Sequence, residues 1–212
     1  SFGAEGTLGR ENRSEVILVR ELRAALIQIN PSCTTDEIDL AIEDLTRDRS
    51  VMSSIAANEA CYKLLKEGVK VKACADDEDF ITVQVIDWQN AENNKFLLCS
   101  QLWVTGEIET RRPDLIGFVN GLPLVFIELK ASSRQLIDAY KDNLADYKSV
   151  IPQLFWFNQL VILSNGVQSK VGTISSQWEH FSEWKKIERE DEPRVVSLET
   201  VIRGTCDKGR LI

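Results

Sequence analysis

Residues 111–130, RRPDLIGFVNGLPLVFIELK, constrain the fold more tightly than any other stretch of this chain. Leu115 to Val119 is short, apolar and prone to extended structure. Asn120-Gly121 is a strong hairpin signal. Leu122 to Leu129 is a second apolar run in which both alternating faces are apolar. One face carries Leu122, Leu124 and Phe126; the other carries Pro123, Val125, Ile127 and Leu129. A strand of that kind belongs inside a sheet covered on both sides. Yet the first face continues into Glu128 and Lys130, whose i, i+2 spacing puts both charges on one side of the strand. Burying charge without a partner is costly, so this strand end needs an explanation.

Asp114, Glu128 and Lys130 supply one. Two carboxylates at a strand end make a hard, oxygen-rich site suited to Mg²⁺, with Mn²⁺ as substitute. The Ile127 or Leu129 carbonyl is a further candidate ligand. A lysine beside them can orient a water or stabilise charge developing on a phosphate. The set suits metal-assisted phosphodiester hydrolysis. An E-x-K tripeptide alone more often marks a surface pair, and Pro113-Asp114 ahead of the first strand makes this set more specific. The chemistry requires Asp114 on the same side as Glu128. A two-residue Asn120-Gly121 loop would instead pair Val119 with Leu122 and Asp114 with Ile127. The spacing therefore predicts an odd-numbered loop, most simply three residues with Gly121 left-handed and a bulge. A bulge or strand end at Pro113-Asp114 would also reset the parity.

The 212 residues suffice for one well-cored domain or two small ones. No apolar run approaches the ~20 residues needed to span a membrane, and SFGAEGTLGR has no signal-peptide core. The chain reads as a piece of a longer protein. Five widely spaced cysteines without a C-x-x-C fit reduced thiols in a cytoplasmic protein. The single histidine, His180, excludes histidine-centred nuclease motifs, and no P-loop sequence occurs. The net charge of -8 argues against a domain that grips a polyanion unaided. Arg111, Arg112, Lys130, Arg134, Lys141 and Lys148 could still form a local positive patch.

Upstream, apolar periodicity predicts a helix over 11–29, ended by Asn30-Pro31. Thr34 with Glu37 gives a capping box for a second helix to about Arg49, and a third runs from about Ser53 to Glu67, stopped by Gly68. Strands are expected at 69–73, 80–88 and 95–104, with an acidic loop at 76–79 and a polar turn at 90–94. After Lys130, Ser132 or Ser133 can cap a helix to about Val150, followed by a buried strand at 159–164. Strand, helix, strand here implies a parallel crossover. An edge strand is expected at 171–174, an aromatic-rich helix at 178–188 in which Trp178, Phe181 and Trp184 pack, and a last helix opened by Ser197.

Pro113-Asp114 with Glu128-x-Lys130 looks like the PD-(D/E)xK nuclease motif. The surrounding words resemble the N-terminal nuclease domain of the R subunit of type I restriction enzymes. Besides 111–130 they are LTRDRS, NEACYKLLKEGVKV, VIDWQNAENNKFLLCSQLWVTGE, IPQLFWFNQLVILSNG, WEHFSEW and RGTCDKGRL, so the likeness covers nearly the whole chain. It implies an α/β restriction-endonuclease-like fold: a central mixed sheet flanked by helices, with an N-terminal helical block over 1–68, a nuclease core over 69–175 and C-terminal helices over 176–212. It implies endonucleolytic cleavage of double-stranded DNA with catalytic Asp114, Glu128 and Lys130, the two carboxylates holding the metal. It further implies an ATP-driven motor outside this stretch, and methylation and specificity subunits as partners. Many such nucleases carry a Q-x-x-x-Y pair beside the metal; Asn143 and Tyr147 occupy those places, Asn replacing Gln. Many add a helical glutamate, for which Glu15 is preferred over Glu21 and Glu59. The alternative is a non-catalytic docking or regulatory module that keeps the fold.

Overall fold

The N-terminal third is helical because its apolar residues recur every three to four positions. In the computed structural model, which describes residues 7–72, 79–187, 189, 191–193 and 195–212, three helices form: α1 (Val19–Ile29), α2 (Thr35–Thr46) and α3 (Ser54–Glu67). The α2 start is the predicted capping box, Thr34 and Glu37 satisfying each other's backbone N–H. Ser53 caps α3 and Gly68, at φ 81°, ends it. Helix α1 is shorter than the expected 11–29. Asn12 instead folds residues 12–15 into a turn, its Oδ1 accepting from the Ser14 and Glu15 amides.

The strands follow as β1 (Val69–Lys72), β2 (Phe80–Val83), β3 (Phe96–Ser100), β4 (Val104–Thr105), β5 (Thr110–Arg111), β6 (Leu115–Val119) and β7 (Leu122–Leu129). Ala73 and the acidic residues 76–78 lie outside the described residues. Two expected strands are truncated for identifiable reasons. The Asn30 side chain accepts from Gln84 N and donates to Gln84 O, so β2 stops before it. Gln101 takes a φ of 54° and breaks the 95–104 run into β3 and β4.

After β7 the chain runs through α4 (Leu136–Asp138), a π turn (Ala139–Leu144) and α5 (Ala145–Val150), then β8 (Leu160–Ser164) and β9 (Ser169–Gly172). Neither Ser132 nor Ser133 caps this helical run; Gln135 precedes it without a side-chain cap. Only a 3-10 turn forms at Trp178–His180 in place of the predicted helix, because Ser182 exchanges both backbone hydrogen bonds with Val171. Trp178 and Phe181 pack as expected, lying against Tyr140, while Trp184 remains exposed. Ser197 caps α6 (Leu198–Thr205), and α7 (Lys208–Leu211) follows.

The central sheet has the order β3-β6-β7-β8-β9. Its strands pair antiparallel except β7 with β8, which are parallel across the helical crossover. The sheet is therefore mixed and flanked by helices, the expected α/β architecture. Residues 122–128 are all buried, in keeping with an apolar run on both faces. Among the described residues, one apolar core joins Val16 near α1 to Val201 on α6.

The Asn120-Gly121 turn ties the helical block to this sheet. Asn120 is fully buried; its amide donates to Val85 O and Asn94 Oδ1, and its Oδ1 accepts from Lys95 N. The Gly121 carbonyl accepts from Leu18 N at 2.9 Å, at the mouth of α1. A Cβ on Gly121, at φ 80°, would lie 2.6 Å from Leu18 O; one on Gly166, also at φ 80°, would meet nothing within 4 Å. Gly166→Ala should thus cost only left-handed strain, about 1 kcal/mol, and Gly121→Ala about 3 kcal/mol or more. Urea unfolding midpoints check this; equal losses would mean that the turn is not clamped under α1.

Candidate active site

Strand parity decides which side chains can meet at the open end of the β6–β7 hairpin. Val119 pairs with Leu122, leaving a two-residue loop with φ 51° at Asn120 and 80° at Gly121. The expected odd-numbered loop is therefore absent, and the turn is the primed kind that suits hairpin twist. The parity is reset elsewhere. Phe118 pairs with Pro123, but Gly117 pairs with Val125, so Leu124 is an extra residue in β7. The bulge brings Leu115 opposite Ile127, and one step further Asp114 falls opposite Glu128. The carbonyl of Leu124 accepts from Gln159 N at 2.8 Å and Asn158 Nδ2 at 3.1 Å. Gly117 allows the tight approach there, since a Cβ on it would sit 3.0 Å from Val125 Cβ.

The result is a compact polar group at a sheet end. Glu128 is only 2% exposed. Its Oε1 accepts from Asn143 Nδ2 at 2.7 Å and lies 3.5 Å from Lys130 Nζ. Its Oε2 is buried without a hydrogen-bond partner among the described residues. Asp114 is fixed at both ends: Oδ2 accepts from Leu129 N at 2.8 Å and the backbone oxygen from Gln101 N at 2.7 Å. Burial, and then the nearby Asp114 carboxylate, push the Glu128 carboxyl up to about 7, against the opposing pull of Lys130. Tyr147 packs edge-on against Phe126 at 5.8 Å. Burial, with the Glu128 charge next, pushes its hydroxyl up to about 12. Asn143 belongs to the π turn and Tyr147 to α5. The shorter amide of Asn does reach the carboxylate.

The structure thus gathers Asp114, Glu128, Lys130, Asn143 and Tyr147. It does not bring the candidate glutamates to them. Glu15 precedes α1 rather than lying on it, and its carboxylate accepts from Glu11 N and Asn12 Nδ2. Glu21 pairs with Lys95, and Glu59 with Lys63. The expected basic patch also loses members. Arg111 makes a two-pronged bond to Asp146 and pairs with Glu109, while Lys148 donates to the Ile174 carbonyl. Sequence reasoning missed Gln101 and Leu124, whose parts are set by backbone conformation with no side-chain signal.

Chemically, the group is a hard-oxygen pair with a cation beside it. Among the described residues it holds two carboxylates, short of a cluster of three or more His, Cys, Asp or Glu. That number fits Mg²⁺, which binds through one or two carboxylates and otherwise through water and phosphate. The unpartnered Glu128 Oε2 fits a cation too, as a buried lone pair left for a ligand.

Residues 3–180 match the family described as the type I restriction enzyme R protein N terminus. The chain belongs to this family. A type I restriction enzyme HindI endonuclease subunit from Haemophilus influenzae is 33% identical over 191 residues, covering 88% of this chain and 18% of the relative. A putative type I restriction enzyme MjaIXP endonuclease subunit from Methanocaldococcus jannaschii is 30% identical over 196 residues, covering 90% and 19%. This R protein N-terminal chain therefore spans about a fifth of the length of those curated relatives. No helix among its described residues is long and apolar enough to cross a membrane.

The raised Glu128 pKa makes a stability prediction for this R protein N-terminal chain. A carboxyl raised on folding favours the folded state while protonated, and that contribution is lost as pH rises from about 4.5 through about 7. Glu128→Gln keeps the neutral shape and cannot ionise. Without divalent ions, the variant should match wild type near pH 4 and exceed it at pH 8, by on the order of 1–3 kcal/mol. Urea titrations at the two pH values test this, and a constant difference would show that Glu128 titrates normally.

Proposed function

We propose that the chain is a Mg²⁺-dependent endonuclease domain that cleaves double-stranded DNA without reading its sequence. The observation that carries this reading is the buried Glu128, with one carboxylate oxygen unpartnered, opposite Asp114 and beside Lys130. The family match and the endonuclease-subunit relatives support the same reaction class. Asp114 and Glu128 would hold the cation, which when bound would polarise the phosphate and acidify a water. Asn143 fixes Oε1 of Glu128, leaving Oε2 directed to the ligand. Lys130 orients the attacking water and stabilises charge developing on the phosphate. Tyr147, wedged on Phe126, keeps Asn143 in place. The full-length protein would carry an ATP-driven translocase and act with methylation and specificity subunits, which select the target.

Two outcomes follow. In the assembled restriction complex, Lys130→Ala should lower cleavage by about 100-fold or more, with ATP hydrolysis and DNA movement unchanged. Wild-type cutting by that variant would remove the lysine from the reaction. Binding of Mn²⁺ requires Glu128 to lose its proton, so its affinity should climb up to about ten-fold per pH unit below pH 7 and level off above. Calorimetry at pH 5.5, 6.5 and 8 measures it. Glu128→Gln should bind weakly at every pH, and unchanged affinity in that variant would relocate the metal site.

A further inference from the structure

The chain carries net charge -8, and its fold commits most of the described arginines to internal acceptors. Arg20, Arg23, Arg47, Arg111, Arg189 and Arg203 each meet a carboxylate. Arg10, Arg49 and Arg210 donate to backbone carbonyls. Among the described residues that leaves Arg13, Arg112 and Arg134 with no acceptor for their guanidinium groups, and all three are exposed. They are not scattered. Arg112 stands two residues before Asp114 and Arg134 four after Lys130. Arg13 comes from a segment far away in sequence, yet shares a platform with Arg112. The guanidinium carbon of Arg112 lies 5.1 Å from the Trp103 ring centroid, and that of Arg13 lies 5.5 Å from it.

The platform is built. Strand β4 pairs with β5 so that Val104 faces Arg111, which sets Trp103 opposite Arg112 at the next position. Leu102 and Val104 are fully buried while the intervening Trp103 is 38% exposed, so the indole stands on the outer face. Arg10, itself buried, donates from one Nη1 to the Trp103 carbonyl at 3.1 Å and to the Glu15 carbonyl at 2.9 Å. Thr105 N donates to the Arg13 carbonyl at 2.9 Å. Residues 10–15 are thereby fastened along β4, and Arg13 is delivered to the ring. A guanidinium over an indole is held in orientation while its N–H edge stays free for an anion.

We propose that Arg13 and Arg112, ordered on Trp103, grip the phosphodiester backbone of the DNA strand that runs past Asp114. This rests on the nuclease reading for its substrate and adds the residues that seat it. Arg112 stands two residues before Asp114 in the chain, and positive charge on that approach also answers a physical need, because Asp114 and Glu128 otherwise repel the phosphate they must approach. Bases are not contacted, so the grip is independent of sequence.

The test is fluorescence anisotropy of the 212-residue chain with a labelled duplex in EDTA, over a salt series starting near 50 mM, with circular dichroism as a fold control. Arg13→Ala/Arg112→Ala should weaken binding about ten-fold or more and flatten the slope of log Kd against log salt by roughly 2. Arg13→Lys/Arg112→Lys should restore most of that slope, since phosphate accepts either cation, which loss of structure alone would not allow. Arg189→Ala, which removes an equal charge paired to Asp191, should bind as wild type. The proposal is overturned if the double alanine variant keeps wild-type affinity and slope. It is equally overturned if Arg189→Ala loses as much, or if wild type does not bind at the lowest salt. EDTA makes these readings independent of cleavage. Undiminished cutting by Glu128→Gln in the assembled complex would instead overturn the nuclease reading and leave the binding result standing.

Discussion

Asp114 and Glu128 share a side of the hairpin because β7 holds one residue more than β6 between turn and open end. Everything at the site depends on that parity. The turn itself is a regular two-residue one, and alone would have sent the two carboxylates to opposite sides of the sheet. The extra residue, Leu124, sits where β7 also pairs with the crossover strand β8. The adjacent residues Asn158 and Gln159 therefore take up its carbonyl, which is not left orphaned. Gly117 on β6 gives the room. A sheet irregularity four residues before Glu128 thus sets which atoms meet there.

With parity set, the second constraint is the cost of a buried carboxylate. Strand β7 is apolar and covered, so Glu128 enters a place where its charge is poorly solvated. Asn143 and Lys130 offset part of that cost, and the rest appears as a carboxyl whose pKa rises to about 7. An unpartnered oxygen on such a group is a liability for a purely structural residue. It is an asset for one that must hold a cation, because the ligand completes what the protein leaves open. The helical run after β7 is part of this arrangement. Its π turn carries Asn143, and α5 carries Tyr147, seated on the Phe126 ring two residues before Glu128.

Charge is organised on the same principle. The acidic chain commits most of its described arginines to internal acceptors, Arg111 to Asp146 among them, which ties β5 to α5. Among the described residues, the arginines left uncommitted include Arg112, two residues before Asp114, and Arg134, four after Lys130. Neighbouring arginines divide the work by strand alternation: Arg111 turns to the helix and Arg112 to Trp103.

The sequence by itself determined the hairpin, its buried central strand and the identity of the charged residues at its end. Those follow from local chemistry: Asn-Gly favours a primed turn, and a two-faced apolar run needs cover on both sides. It also determined α2 and α3, whose caps are local, and the crossover from β7 to β8. It led to Asn143 and Tyr147 only through resemblance. The tertiary structure decided the rest. Helix α1 begins at Val19 because the segment before it is fastened to β4 and to Gly121. Strand β2 ends at Val83 because Asn30, more than fifty residues away, occupies the Gln84 backbone. Glu15 stays outside the cluster for the same reason that Arg13 reaches Trp103. The parity itself was open in the sequence, which favoured an odd loop and offered a bulge or strand end at Pro113-Asp114 as the alternative, whereas the bulge forms at Leu124. A bulge is a choice between two hydrogen-bond registers of nearly equal local energy, and packing against β8 and α1, not the residues of the turn, makes that choice.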